Sequence, residues 1–125
     1  MEITLRDIVA IFLGGGLGSV ARFLTGRAMM RLIPGSFPWG TLAANILSCV
    51  ALGFFIWLIA KDGMKSWWIS FAVIGFCGGF STFSTFSYET VKLLHDGQLL
   101  LAGANVLVSL VVCMVILYYL SKLIL

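Results

Sequence analysis

The sequence predicts an all-α membrane protein: one domain over residues 1–125, four transmembrane helices with the third broken mid-membrane, and two copies paired as an antiparallel, dual-topology homodimer. Three observations lead there, namely an apolar composition, three long uncharged stretches, and an even split of the basic residues between the two membrane faces. Of the 125 residues, 61% are hydrophobic and only 10% charged, with a mean hydropathy of +1.10. An ordinary soluble domain carries roughly a quarter charged residues, so this chain has too few charges to clothe a surface in water. A bilayer core of about 30 Å needs roughly 20 apolar residues per helical span, which leaves room for about four spans and no soluble domain. The eight Lys and Arg are scattered along the chain, so the net charge of +3 marks no nucleic-acid footprint.

The first span follows Glu2, Arg6 and Asp7, a start that lacks the basic n-region and small-residue cleavage site of a signal peptide. It runs uncharged from Ile8 to Ala21 and then carries Arg22 toward the headgroups. Within it Gly14 and Gly18 form a small-xxx-small pattern, with Gly15 and Ser19 offset beside it, suited to close helix approach. Pro34, Gly35 and Pro38 mark the first connection, and the second span covers 40–60. Lys61, Asp62 and Gly63 lead to the third span over 67–88, and His95, Asp96 and Gly97 to the fourth over 98–121. Trp39, Trp67, Trp68, Tyr118 and Tyr119 fall near span ends, where aromatic residues anchor helices to the interface. Cys49, Cys77 and Cys113 lie in three different spans without the close spacing of a zinc site and read as buried free thiols.

Four spans place both termini on one side, so topology follows from counting basic residues. Arg6, Lys61, Lys65 and Lys122 fall on one face; Arg22, Arg27, Arg31 and Lys92 fall on the other. With no bias to fix its orientation, the chain is expected to insert both ways and to pair antiparallel with itself. Four short spans also enclose little room for a pathway, which again points to a homodimer.

The informative residues are the polar ones at membrane depth, which cost free energy unless they pair or meet water. Thr41, Asn45 and Ser48 share one face of the second span, and Asn105, Ser109 and Cys113 share one face of the fourth. In the third span Gly78 and Gly79 precede a run of Phe80-Ser-Thr, Phe83-Ser-Thr and Phe86-Ser. Paired glycines weaken a helix and the hydroxyls can satisfy freed backbone groups, so a break is expected, lining a hydrated cavity or an ion site. Acids stand only at span ends and connections, whereas Arg22 intrudes from one side, so the track suits an anion. Asn and hydroxyl groups donate hydrogen bonds, and phenylalanine rings offer positive edges. Glu89 and Lys92, three apart, are expected to pair with each other or with arginines on the same side.

The segments Gly14-Gly-Gly-Leu-Gly18-Ser-Val-Ala-Arg22-Phe, Gly40-Thr-Leu-Ala-Ala-Asn45 and Gly75-Phe-Cys-Gly-Gly-Phe-Ser-Thr-Phe-Ser-Thr-Phe-Ser-Tyr-Glu89 resemble, in that order and over essentially the full length, the Fluc (CrcB-type) family of bacterial fluoride channels. The resemblance implies a multi-pass protein of the bacterial inner membrane, an antiparallel homodimer with two fluoride pores and a central structural sodium ion. Carried over by position, Asn45 would hydrogen-bond the anion, while Phe83 and Phe86 would turn ring edges toward it. Thr41, Ser84, Thr85, Ser109 and Glu89 would lie along the polar pathway, with Arg22 near its aqueous entrance. Main-chain carbonyls of Gly78 and Ser81 from both copies would hold the sodium. At Ser81 many relatives carry threonine, and at Asn105 and Cys113 some carry tyrosine and serine.

The expected function is therefore passive export of cytoplasmic fluoride that has entered as neutral HF, driven by an inside-negative potential. A small proton-coupled multidrug exporter shares the dual-topology plan, but it needs a buried carboxylate, and none stands between Ile8 and Ala21. A noncatalytic scaffold would use the polar stripes only as helix contacts. An enzyme is not expected: His95 is the single histidine, and no Ser/His/Asp or metal constellation can be assembled.

Overall fold

The computed structural model describes residues 2–124. It has four helical spans and, among the described residues, no strand. Helix α1 is Leu5–Leu32, α2 is Trp39–Asp62, and the third span is divided into α3 (66–80) and α4 (Phe83–His95). Helix α5, Leu99–Lys122, completes the bundle. The shortest of the four spans has 24 residues, which at about 1.5 Å per residue exceeds a hydrocarbon core of about 30 Å. The first three spans run past the limits set by counting uncharged residues, and the fourth is offset from them by one residue. Helix α1 continues through Arg22, Arg27 and Arg31, because long basic side chains can reach the interface from inside a helix.

Helix α1 opens with a reciprocal cap. The Thr4 hydroxyl accepts from the Asp7 amide at 3.2 Å, and Asp7 Oδ2 accepts from the Thr4 amide at 3.1 Å and its hydroxyl at 2.7 Å. The second carboxylate oxygen, Oδ1, accepts from the Ser66 and Ser70 hydroxyls at 3.0 and 3.1 Å. Asp7, which the sequence places as a terminal acid, is thus only 7% exposed and ties the start of α1 to the start of α3.

From Ser70 to Cys77 α3 is wound as a π-helix, and Gly78–Phe80 returns to α geometry. Single-turn π segments are the usual form, so eight residues of it are uncommon. Helix α3 packs on α1 through interlocking glycines. A Cβ on Gly14 or Gly18 would strike the Phe71 or Phe76 carbonyl, and one on Gly79 would strike that of Gly15. Gly75 completes the set, with the Ile11 carbonyl 2.9 Å from where its Cβ would sit. The small-xxx-small pattern of α1 therefore meets a second one on α3, and the two backbones come into direct contact.

The interior is built from small side chains. Ala44, Ala72 and Ala102 are essentially inaccessible, whereas Phe12, Leu100 and Phe23 face outward. Polar groups are buried too: Ser48, Ser70, Thr82, Asn105 and Ser109. Apolar outside and polar inside is the arrangement of a multi-pass membrane protein, in which lipid solvates the outer faces.

Candidate functional site

Ser81 and Thr82 are the two residues between α3 and α4, and both are extended, with ψ 157° at Ser81 and φ −151°, ψ 120° at Thr82. Gly78 and Gly79, to which the sequence gives the weakest helix, remain helical; close packing on α1 holds Gly79 there. The extended pair is satisfied from α2. Asn45 Oδ1 accepts from the Thr82 amide at 2.8 Å, and Asn45 Nδ2 donates to the Thr82 carbonyl at 3.2 Å. One side-chain amide thus mimics a neighbouring strand. Thr82 then caps α4, its hydroxyl accepting from the Thr85 amide at 3.2 Å.

All three polar residues on the face of α2 reach this region. Thr41 donates to Glu89 Oε1 at 2.9 Å, Asn45 pairs with Thr82, and Ser48 donates to the Cys77 carbonyl at 2.9 Å. That carbonyl also accepts from the Ser81 amide and hydroxyl, each at 3.0 Å. Glu89 has the Thr41 hydroxyl as its hydrogen-bond partner in place of the expected pairing with Lys92 or an arginine, and its Oε2 is buried without a partner.

The rearranged bonds release several carbonyls, those of Gly78 and Ser81 among them. In a continuous helix the Gly78 carbonyl would accept from the Thr82 amide and the Ser81 carbonyl from the Thr85 amide. Those amides are committed to Asn45 and to the Thr82 hydroxyl. Gly78 is moreover exposed and Ser81 half-buried on the single chain. Neutral carbonyl oxygens are the donors that suit a hard alkali cation. Among the described residues no group of three or more His, Cys, Asp and Glu is placed to hold a metal ion.

Two cavities flank the Asn45–Thr82 pair. A vestibule of about 890 Å³ is lined by Arg22, Arg27 and Lys92, together with Thr41, Thr85, Glu89 and Asp96. A smaller cleft of about 290 Å³ is lined by Asn45, Ser81, Phe83, Phe86 and Ser109, with Cys49 and Cys113 further along. Thr82 lines both. Ser84 alone among the pathway residues expected from the sequence lines neither; its hydroxyl lies 3.3 Å from that of Thr82.

Phe83 and Phe86 stand with ring centroids 5.7 Å apart and planes inclined at 37°. Phe86 is buried, whereas Phe83 is 75% exposed on the single chain. Counting protons shows which polar groups remain available. Thr41 and Ser81 have given theirs to Glu89 and Cys77. Ser109 donates to Asn105 Oδ1 at 3.3 Å, so it offers the cleft lone pairs. Asn105 in turn donates to Thr90 at 2.9 Å, and Thr90 to the Phe86 carbonyl at 2.8 Å, a chain that fixes α5 against α4. Asn45 uses one of its two N–H groups. Its second N–H is thus free, on a residue that lines the cleft together with the rings of Phe83 and Phe86.

Thr82 is the residue that sequence reasoning missed. Its signal was present as a threonine three residues before Thr85 in the Phe-Ser-Thr repeat, the spacing of a helix cap.

Comparison with known proteins gives a consistent result. The family described as CrcB-like protein, Camphor Resistance (CrcB), matches residues 9–120. A protein of Geobacter sulfurreducens named fluoride-specific ion channel FluC is 43% identical over 112 residues, covering 89% of this chain and 90% of that protein. One of the same name from Rhodospirillum rubrum is 42% identical over 105 residues, covering 82% and 81%. Another from Phocaeicola vulgatus is 44% identical over 93 residues, covering 74% and 77%.

Proposed function

The chain belongs to the CrcB-like family, and from that premise we propose that it is a fluoride-specific ion channel of the bacterial inner membrane, not an enzyme. The observation that carries this reading is a cleft lined both by Asn45, which keeps one N–H beyond its bond to Thr82, and by the Phe83–Phe86 pair. The basic vestibule lies on the other side of Thr82, which lines both cavities.

Arg22, Arg27 and Lys92 raise the local anion concentration at the vestibule. The anion then passes the Asn45–Thr82 pair into the cleft, where one amide N–H and the positive ring edges replace part of its hydration shell. Few donors in an apolar cleft suit a small, strongly hydrogen-bonding anion. Movement is passive: an inside-negative potential drives an anion outward with about 2.3 kcal/mol per 100 mV.

The working unit in this reading is an antiparallel homodimer with two pores. The even split of basic residues supports it, as do the exposure of Phe83 and Gly78 on the single chain. Gly78 and Ser81 would hold a sodium ion through the carbonyls released by Asn45 and Thr82, two from each copy. When bound, that ion supplies positive charge that ties the interrupted third spans of the two copies together.

The test is fluoride efflux from liposomes containing the purified protein, followed with a fluoride electrode after a potassium ionophore is added. The reading predicts efflux well above protein-free liposomes and none of comparable rate with chloride. Efflux at the protein-free level refutes it.

A further inference from the structure

Asn45 and Ser109, which both line the cleft, are each followed four residues later by a cysteine, Cys49 on α2 and Cys113 on α5. Residues four apart on a helix share a face. Helices α2 and α5 run in the same direction, being alternate spans of a four-span bundle, and pack together near Gly53 and Leu120. One turn along each helix therefore moves the same way, and both thiols line the same cleft. Neither belongs to a disulfide. Each is only partly buried. Cys77, the third thiol, is buried on α3 and does not line the cleft.

We propose that Cys49 and Cys113 form a two-thiol site for the soft, thiophilic cation Hg²⁺, which bridges α2 and α5 and closes the cleft. Soft metals prefer sulfur ligands, and two thiolates satisfy a linear coordination. Binding is balanced: one Hg²⁺ displaces one proton from each thiol, two metal–sulfur bonds form, and no oxidant takes part. The surrounding Leu110, Met114 and Leu117 make the site apolar, and a neutral bis-thiolate adds no charge to it. The bound metal occupies the space one turn from Asn45, so the site rests on the proposed anion route for its effect but not for its existence.

The experiment titrates the purified full-length protein with HgCl₂, reading the ultraviolet thiolate-to-metal charge-transfer band, and measures fluoride efflux from liposomes before and after metal. One metal ion per chain is expected in the natural protein and in Cys77→Ser, with the band lost in Cys49→Ser and in Cys113→Ser. Efflux, scaled to each variant's own untreated rate, is expected to fall to the protein-free level only where both cysteines remain, and to recover with dithiothreitol. Uptake that persists in the double variant Cys49→Ser/Cys113→Ser overturns the site. Uptake that leaves efflux unchanged overturns closure of the cleft. If the untreated protein passes no fluoride, the channel reading fails, while the charge-transfer titration still decides the thiol pair.

Discussion

Replacing Asn45 by leucine removes the side-chain amide that stands in for a neighbouring strand while keeping the branching and the number of heavy atoms of the side chain. The Thr82 amide and carbonyl lose bonds of 2.8 and 3.2 Å at a residue that is itself buried. Interhelical hydrogen bonds in membrane bundles are worth about 0.6–2 kcal/mol each, so the pair contributes about 1–4 kcal/mol. That range shifts the folded-to-unfolded ratio by about fivefold to several hundredfold. Asn45→Asp divides the effect, because it keeps an acceptor for the Thr82 amide and loses the donor to its carbonyl. Unfolding of the purified protein in detergent, followed by tryptophan fluorescence, should rank the natural protein above Asn45→Asp and Asn45→Leu lowest. Both variants should lose fluoride efflux, since each removes the spare N–H from the cleft. A leucine variant with unchanged stability would refute the bridging role of Asn45, and one with unchanged efflux would refute its role toward the anion.

Further expectations follow from the same geometry. Phe83→Ile should lower fluoride efflux while leaving stability of the single chain nearly unchanged, because the ring is 75% exposed there; Phe86→Ile should lower both, the ring being buried. Unchanged efflux in the two variants would remove the rings from the pathway. Gly18→Ala should destabilise by about 1–3 kcal/mol through overpacking, since its Cβ would strike the Phe76 carbonyl. Gly16→Ala, with open space around it, should instead stabilise by about 0.4–1 kcal/mol, and equal effects at the two positions would refute backbone contact between α1 and α3. Asp7→Ala should lower the unfolding midpoint by stranding the Thr4, Ser66 and Ser70 donors; an unchanged midpoint would show that the carboxylate does not join α1 to α3.

The spans were legible because lipid imposes a single rule, long uncharged runs, that needs no knowledge of neighbours. Their ends were not, because a helix such as α1 carries Arg22, Arg27 and Arg31 without stopping. The face holding Thr41, Asn45 and Ser48 was legible from its spacing alone, and all three side chains reach the third span. Their partners were not, since nothing in α2 says that Asn45 meets the backbone of Thr82 or that Thr41 takes Glu89 from Lys92. Gly78 and Gly79 show the limit most plainly. Propensity marks them as the weak point, yet packing against Gly15 keeps Gly79 helical. The extended residues are Ser81 and Thr82, where Asn45 supplies replacement bonds. Asp7 reads as a terminal acid until Ser66 and Ser70, about sixty residues away, are brought to it by the fold.

The central claim is that the cleft between Asn45 and the Phe83–Phe86 pair carries fluoride. Its most direct test is single-channel or liposome-flux recording with fluoride as the permeant anion, comparing the natural protein with Phe83→Ile in vesicles of equal protein content. The natural protein should carry a fluoride current that is abolished or strongly reduced in the variant. A current of equal size in both, or one carried equally well by chloride, would contradict it.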